Sequence, residues 1–275
     1  MEKISHEDLE LDPANILKWY IECGVDECIS EAETNWFDEA SEIQTIQKVS
    51  QSSSPNKQAI SRPVSNAPLV SNKEIIADAE KLMVECTSLD ALRDAILSFN
   101  SCSLKNTASN TVFCDGNRQS DIMVIGEAPG VDEDRDGKPF IGEDGQLLNK
   151  MFAAINMTRE NDFYITNLVP WRPPGNRKPT PAECDMCLPF LKRHIELFNP
   201  KMIILVGGTS ANALLDNNIG ITKLRGKWQK YEIDGKQIPA VSILHPTYLI
   251  RQPHFKKQTW HDLLSIKERI GTLDK

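Results

Sequence analysis

Four short apolar runs, near residues 121–126, 162–168, 201–207 and 239–244, alternate with helix-patterned stretches near 144–156, 181–198, 209–217 and 256–270. No other feature of the chain restricts its fold as strongly. Each run is strand-length, apolar at successive positions and bounded by turn residues. A strand that is apolar on both sides has to be covered on both sides. A helix between two such strands is a crossover long enough for parallel pairing. The expected architecture is α/β: a three-layer αβα sandwich around a central, mostly parallel four-stranded sheet.

Sheets of this kind bind ligands beyond the carboxyl ends of their strands. That rule selects four loops. The first is Gly126-Glu127-Ala128-Pro129-Gly130, running on through Asp132-Glu133-Asp134-Arg135-Asp136 to Phe140 and Gly142. The second holds Asn167 and then Trp171-Arg172-Pro173-Pro174-Gly175-Asn176-Arg177. The third is Gly207-Gly208-Thr209, and the fourth is His245-Pro246-Thr247-Tyr248-Leu249-Ile250-Arg251. Glycine lets backbone approach a ligand closely, and proline fixes φ. Of the five histidines, only His245 ends a buried strand.

The remainder of the chain divides by composition. Residues 1–45 read as an acidic helical segment and 46–72 as a Ser- and Pro-containing linker with little to bury. Residues 73–275 hold the α/β domain, entered through a helical stretch over 73–98 that breaks near Thr87-Ser88. Net charge is −8, which argues against nucleic acid until it is located. Residues 1–120 carry 10 Lys/Arg against 20 Asp/Glu, whereas residues 121–275 carry 21 against 19. The second half is therefore free to present basic loops. No apolar run approaches the roughly 18 residues of a membrane span. The acidic N-terminus lacks an apolar signal core, so a cytoplasmic, nucleoid-associated monomer is expected. Seven cysteines without a secretory signal argue against a disulfide framework.

The loops together resemble the family-4, iron–sulfur class of uracil-DNA glycosylases from about residue 102 to 270. Gly126-Glu127-Ala128-Pro129-Gly130 through Phe140-Ile141-Gly142 and Gly145-Gln146-Leu147-Leu148 is similar to the family's first motif. Ile165-Thr166-Asn167 with Arg172-Pro173-Pro174-Gly175-Asn176-Arg177 is similar to the second. His245-Pro246 with Tyr248, Leu249 and Arg251 is similar to the third. The resemblance implies an enzyme that flips uracil out of DNA and hydrolyses its N-glycosidic bond, leaving an abasic site. Two other readings keep the fold: action on other deaminated bases, or a non-catalytic DNA- or partner-binding scaffold. Residues 1–45 would suit a protein partner.

Within the resemblance, Asn167 is expected to read uracil, since one side-chain amide pairs both the O4 acceptor and the N3 donor. Phe140 is expected to stack on the flipped base, and Ala128 and Asn176 to complete substrate binding. His245 is expected to donate to O2 as the base leaves with negative charge. Glu127 or Glu133 is the expected carboxylate for water or for the cationic sugar; Glu127 is favoured, and Glu133 stays open as the rival. Arg172, Arg177, Arg225, Lys227 and Arg251 are expected to hold phosphates, with Leu249 and Ile250 as an apolar wedge.

The family's cluster uses four cysteines, of which only Cys102 and Cys187 have counterparts here. Phe99 stands where the first is expected and Trp171 where the third is expected. Two thiolates do not hold a conventional four-cysteine cluster, so no cofactor is expected. Cys102 and Cys187 are the residual metal candidates. Cys184-x-x-Cys187 also has ligand spacing, and with Cys102 and Cys114 would make four thiols. The competing reading is cysteine as a small buried hydrophobe.

Overall fold

A computed structural model describes residues 72–273. The expected N-terminal segment, and the linker up to residue 71, lie outside them. Helices α1 (Asn72–Glu85) and α2 (Leu89–Ser98) come first. They are separated where Ser88 caps α2 by accepting a hydrogen bond from the Ala91 amide at 3.1 Å. Then follow β1 (Asp115–Gly116), β2 (Ile122–Gly126), α3 (Val131–Asp136), α4 (Glu143–Ala153), β3 (Tyr164–Asn167), α5 (Pro181–Phe198) and β4 (Met202–Val206). The chain ends with α6 (Gly208–Leu215), α7 (Ile221–Leu224), β5 (Trp228–Ile233), β6 (Lys236–Ile243), α8 (Pro246–Arg251) and α9 (Lys256–Leu273). No helix among the described residues is long and apolar enough to cross a membrane.

The sheet has six strands in the order β1-β3-β2-β4-β6-β5. The four expected strands form its parallel centre, and antiparallel β1 and β5 add an edge on each side. The expected count of four is therefore corrected to six, and the sheet is mixed. Both additions have local causes. β1 is only two residues long and pairs with β3 at Asp115 and Gly116. β5 folds back onto β6 through Asp234-Gly235, both with positive φ (48° and 72°), as a type I′ hairpin turn requires.

Alternation along the central strands divides two cores. Met123 and Ile125 of β2 face α1, α2, α5 and α6, together with Tyr164, Ile203, Leu205 and Ala240. Ile122 and Val124 face α4 and α9, with Ile165, Ile204, Val241 and Ile243. Burial on both faces explains the continuous apolar runs. The chain passes from β2 to β3 on one side and from β3 crosses back to β4 on the other. The carboxyl end of β2 is thus a topological switch point, where a doubly covered sheet opens a crevice.

Candidate active site

The crevice is built by extending the β2–β3 pairing past the strand ends. Gly126 pairs in register with Asn167. The Leu168 amide then donates to the Gly126 carbonyl at 2.9 Å, and the Val169 amide to the Glu127 carbonyl at 3.0 Å. These bonds fix Asn167 and Glu127 side by side on a rigid edge. Asn167 is 6 % exposed, and its Oδ1 accepts no hydrogen bond. A buried acceptor without a donor is costly, and among the described residues only Asn212 Oδ1 and Ser242 Oγ share that state. The absent side chain of Gly126 leaves the adjoining space. A Cβ there would lie 2.4 Å from Asn167 Oδ1 and 2.4 Å from the tip of the Phe140 ring.

The acid-rich stretch after Gly130 is expected as a loop or a helix start, and it forms the short helix α3. Its acids have separate tasks. Glu133 turns inward and accepts from three backbone amides: Ile141 and Gly142, both at 2.8 Å, and Gly130 at 3.1 Å. Asp134 accepts from the amides of Ser109 (2.8 Å) and Asn110 (3.0 Å). Glu133 thus ties both ends of the loop together, and Asp134 ties the loop to the body. The Glu127 carboxylate has no hydrogen-bond partner among the described residues and faces the cavity. Both carboxylates line the cavity, Glu133 with its oxygens engaged by backbone amides and Glu127 without such partners.

His245 is the N-cap of α8. Its Nδ1 accepts from the Thr247 amide at 3.3 Å, which leaves the ring proton on Nε2. Burial lowers its pKa below the usual histidine value, so the ring is neutral at pH 7. Asp144 and Glu127 pull the other way, while Lys178 and Arg251 add to the lowering. The ring lies 5.9 Å from that of Phe140, centroid to centroid. Gly207 lies beside it at φ 97°, a backbone conformation that side-chain-bearing residues rarely adopt.

A cavity of about 540 Å³ opens beside Glu127 and His245, while Asn167 and Phe140 are not among its lining residues. Glu127, Ala128, Asp144, Asn176, Arg177, His245, Ile250 and Arg251 are among its lining residues. Not every expected DNA contact reaches it. Leu249 is 1 % exposed, packs into the protein and does not line the cavity, whereas its neighbour Ile250 does. Arg225 is held by Asp262, with Nε 2.8 Å from Oδ2, and neither it nor Lys227 lines the cavity. Arg177 reaches the rim while donating to both oxygens of Glu183 at 2.8 and 2.7 Å. Arg172 donates to Asn176 Oδ1 at 2.6 Å and lies 3.8 Å from Asp134.

The residues at the cluster position do not fit a four-cysteine iron–sulfur group. The rings of Phe99 and Trp171 stack with centroids 6.5 Å apart, and Phe190 meets Phe99 edge-on at 5.0 Å. The Trp171 indole donates to Thr111 Oγ1 at 2.9 Å. Cys102 and Cys187 are fully buried in the same apolar cluster. A hydrogen bond from Cys187 brings the Cys102 thiol down to about 7, and that bond together with burial holds Cys187 well above the ordinary thiol range. Burial pushes Cys184 up to about 11. No group of three or more metal-binding side chains is assembled among the described residues.

Residues 113–264 match the family model described as the Uracil DNA glycosylase superfamily. The chain is 37 % identical over 188 residues to a Type-4 uracil-DNA glycosylase of Archaeoglobus fulgidus, covering 67 % of this chain and 94 % of that protein. It is 36 % identical over 189 residues to the Type-4 enzyme of Saccharolobus solfataricus, covering 67 % and 88 %. The corresponding figures for the Type-4 enzyme of Thermotoga maritima are 36 % over 164 residues, covering 59 % and 83 %.

Proposed function

This chain belongs to the type-4 branch of the uracil-DNA glycosylase superfamily, and on that premise we propose how its cavity acts. The protein removes uracil from DNA by hydrolysing the N-glycosidic bond, a step of DNA repair. The observation that carries the site assignment is the buried Asn167 Oδ1 without a donor. The N3–H of a flipped uracil supplies that donor, and the Asn167 amide N–H₂ donates in turn to O4. Cytosine would set acceptor against acceptor and donor against donor. Phe140 stacks on the base, and neutral His245 donates from Nε2 to O2 as the C1′–N1 bond lengthens. The base departs as an anion and takes a proton afterwards, while water adds to the cationic sugar carbon. Glu127 faces that carbon and favours its positive charge. Glu133 acts only by holding the loop. Arg177 and Arg251 at the rim take phosphates, and Ile250 replaces Leu249 as the residue entering the base stack.

Purified protein incubated with a uracil-containing oligonucleotide and then treated with alkali should give strand scission at the uracil. An intact strand would refute the reading. Parallel substrates carrying hypoxanthine or xanthine measure the base range.

We also propose that the enzyme works without an iron–sulfur cluster, because the Phe99–Trp171–Phe190 ring packing occupies the cluster position. Protein produced with iron supplied should be colourless and keep its cleavage rate after dialysis against an iron chelator. A yellow-brown protein with stoichiometric iron would overturn this. The proposal extends to a monomer in the cytoplasm working on nucleoid DNA, with residues 1–45 offered to a protein partner.

A further inference from the structure

We infer that Arg159 is the positioning residue of the base-stacking ring, an inference that rests on the uracil-excision reading above. Phe140 has φ 53°, in the left-handed region that non-glycine residues rarely occupy. Such a backbone persists only where its surroundings hold it. Three contacts do so. The Arg159 guanidinium donates from Nη2 to the Phe140 carbonyl at 2.6 Å and from Nη1 to the Pro139 carbonyl at 2.8 Å. On the other side, the Phe140 carbonyl lies over Gly145, where a Cβ would come within 2.0 Å of its oxygen. Arg159 is itself anchored, by Asp115 at 3.0 Å and by Asn149 Oδ1 at 3.2 Å. Its side chain is 10 % exposed. Asp115 belongs to β1, the edge strand that the sequence reading lacked.

The chain of contacts therefore runs from the sheet edge through Asp115 and Arg159 to the two carbonyls that set the direction of the Phe140 ring. Neither Arg159 nor Phe140 is among the residues lining the cavity; Phe140 reaches the site through its ring, 5.9 Å from that of His245, and Arg159 acts on catalysis through Phe140. Arginine suits the task because its planar fork donates to two carbonyls and a carboxylate at once. Lysine offers one compact charge and satisfies fewer of them.

The test is a double-mutant cycle on uracil cleavage, with folding checked by circular dichroism. Arg159→Ala should lower kcat/KM by about tenfold or more, the scale of one lost base–aromatic stack. Phe140→Ala should lose a similar factor, and the Phe140→Ala/Arg159→Ala pair should be no slower than Phe140→Ala alone. Arg159→Lys should recover part of the loss. Should Arg159→Ala fail to fold, Arg159→Lys takes its place in the cycle. An Arg159 variant as fast as the parent, or losses that multiply in the pair, would overturn the inference while leaving uracil excision intact. An inactive parent protein would overturn both.

Discussion

Replacing His245 with alanine should slow uracil cleavage by about 10²- to 10³-fold, the usual cost of removing one preorganised donor from a developing anion. The size follows from how fully the ring is prepared. Thr247 occupies Nδ1, so Nε2 carries the proton and no tautomer change precedes reaction. Burial keeps the ring neutral, so it delivers a hydrogen bond rather than a full charge that would also attract other groups. The benefit grows as the base becomes anionic, so the loss should fall on kcat far more than on KM. A pH consequence accompanies it. Because burial moves proton uptake below the ordinary histidine value of about 6.5, the neutral donor persists as pH falls from 8 to 6.5. Cleavage should therefore hold level across that interval. Single-turnover rates for both proteins from pH 5 to 8 check both points. A variant within threefold of the parent would remove His245 from the mechanism, and a tenfold fall centred on pH 6.5 would contradict the lowered pKa.

The sheet centre was legible from periodicity, which also put Asn167 and His245 near the ends of two strands, whereas the roles proposed for them came from the resemblance of the three motifs. Apolar runs buried on both faces announce the parallel strands, and Asn167 and His245 are polar residues placed where two of those runs stop. What was not legible depends on direction or on distant partners. β1 is too short to carry a period, and β5 alternates weakly, with Trp228, Lys230 and Glu232 on one face. The Asp234-Gly235 signal for its hairpin was present in the sequence all the same. Leu249 and Ile250 are neighbours of similar chemistry, and only the winding of the short helix α8 decides which of them faces the cavity. Glu127 was favoured over Glu133 without a physical ground in the sequence, and the bonds of Glu133 to the amides of its own loop became visible only in three dimensions. Arg225 finds Asp262 and Arg159 finds Asp115, 37 and 44 residues away in the chain. Pairings of that kind leave no local trace.

Replacing Asn167 with alanine should cost more than any other single change in reading the base. The alanine variant leaves uracil N3–H and O4 both buried without partners, at roughly 1–3 kcal/mol each, or about 30-fold to 10⁴-fold in kcat/KM. Alanine also empties space, so Asn167→Asp is the sharper probe. Aspartate keeps the size and the Oδ1 acceptor, replaces the donor with a second oxygen facing O4, and when ionised adds a negative charge there. If Asn167 acts by its hydrogen-bond pattern, the aspartate variant should lose as much uracil cleavage as the alanine variant although it empties no space. If Asn167 is instead a packing residue at the end of β3, aspartate should cleave nearly as fast as the parent and only alanine should suffer. The free enzyme offers a second reading of the same point. Its Asn167 Oδ1 is buried without a donor, a cost carried until a base arrives. Removing that atom by alanine should therefore leave folding stability little changed or slightly raised, even as activity collapses. Chemical denaturation of the three proteins beside their cleavage rates measures that opposition. A large loss of stability in Asn167→Ala would return the residue to a structural role.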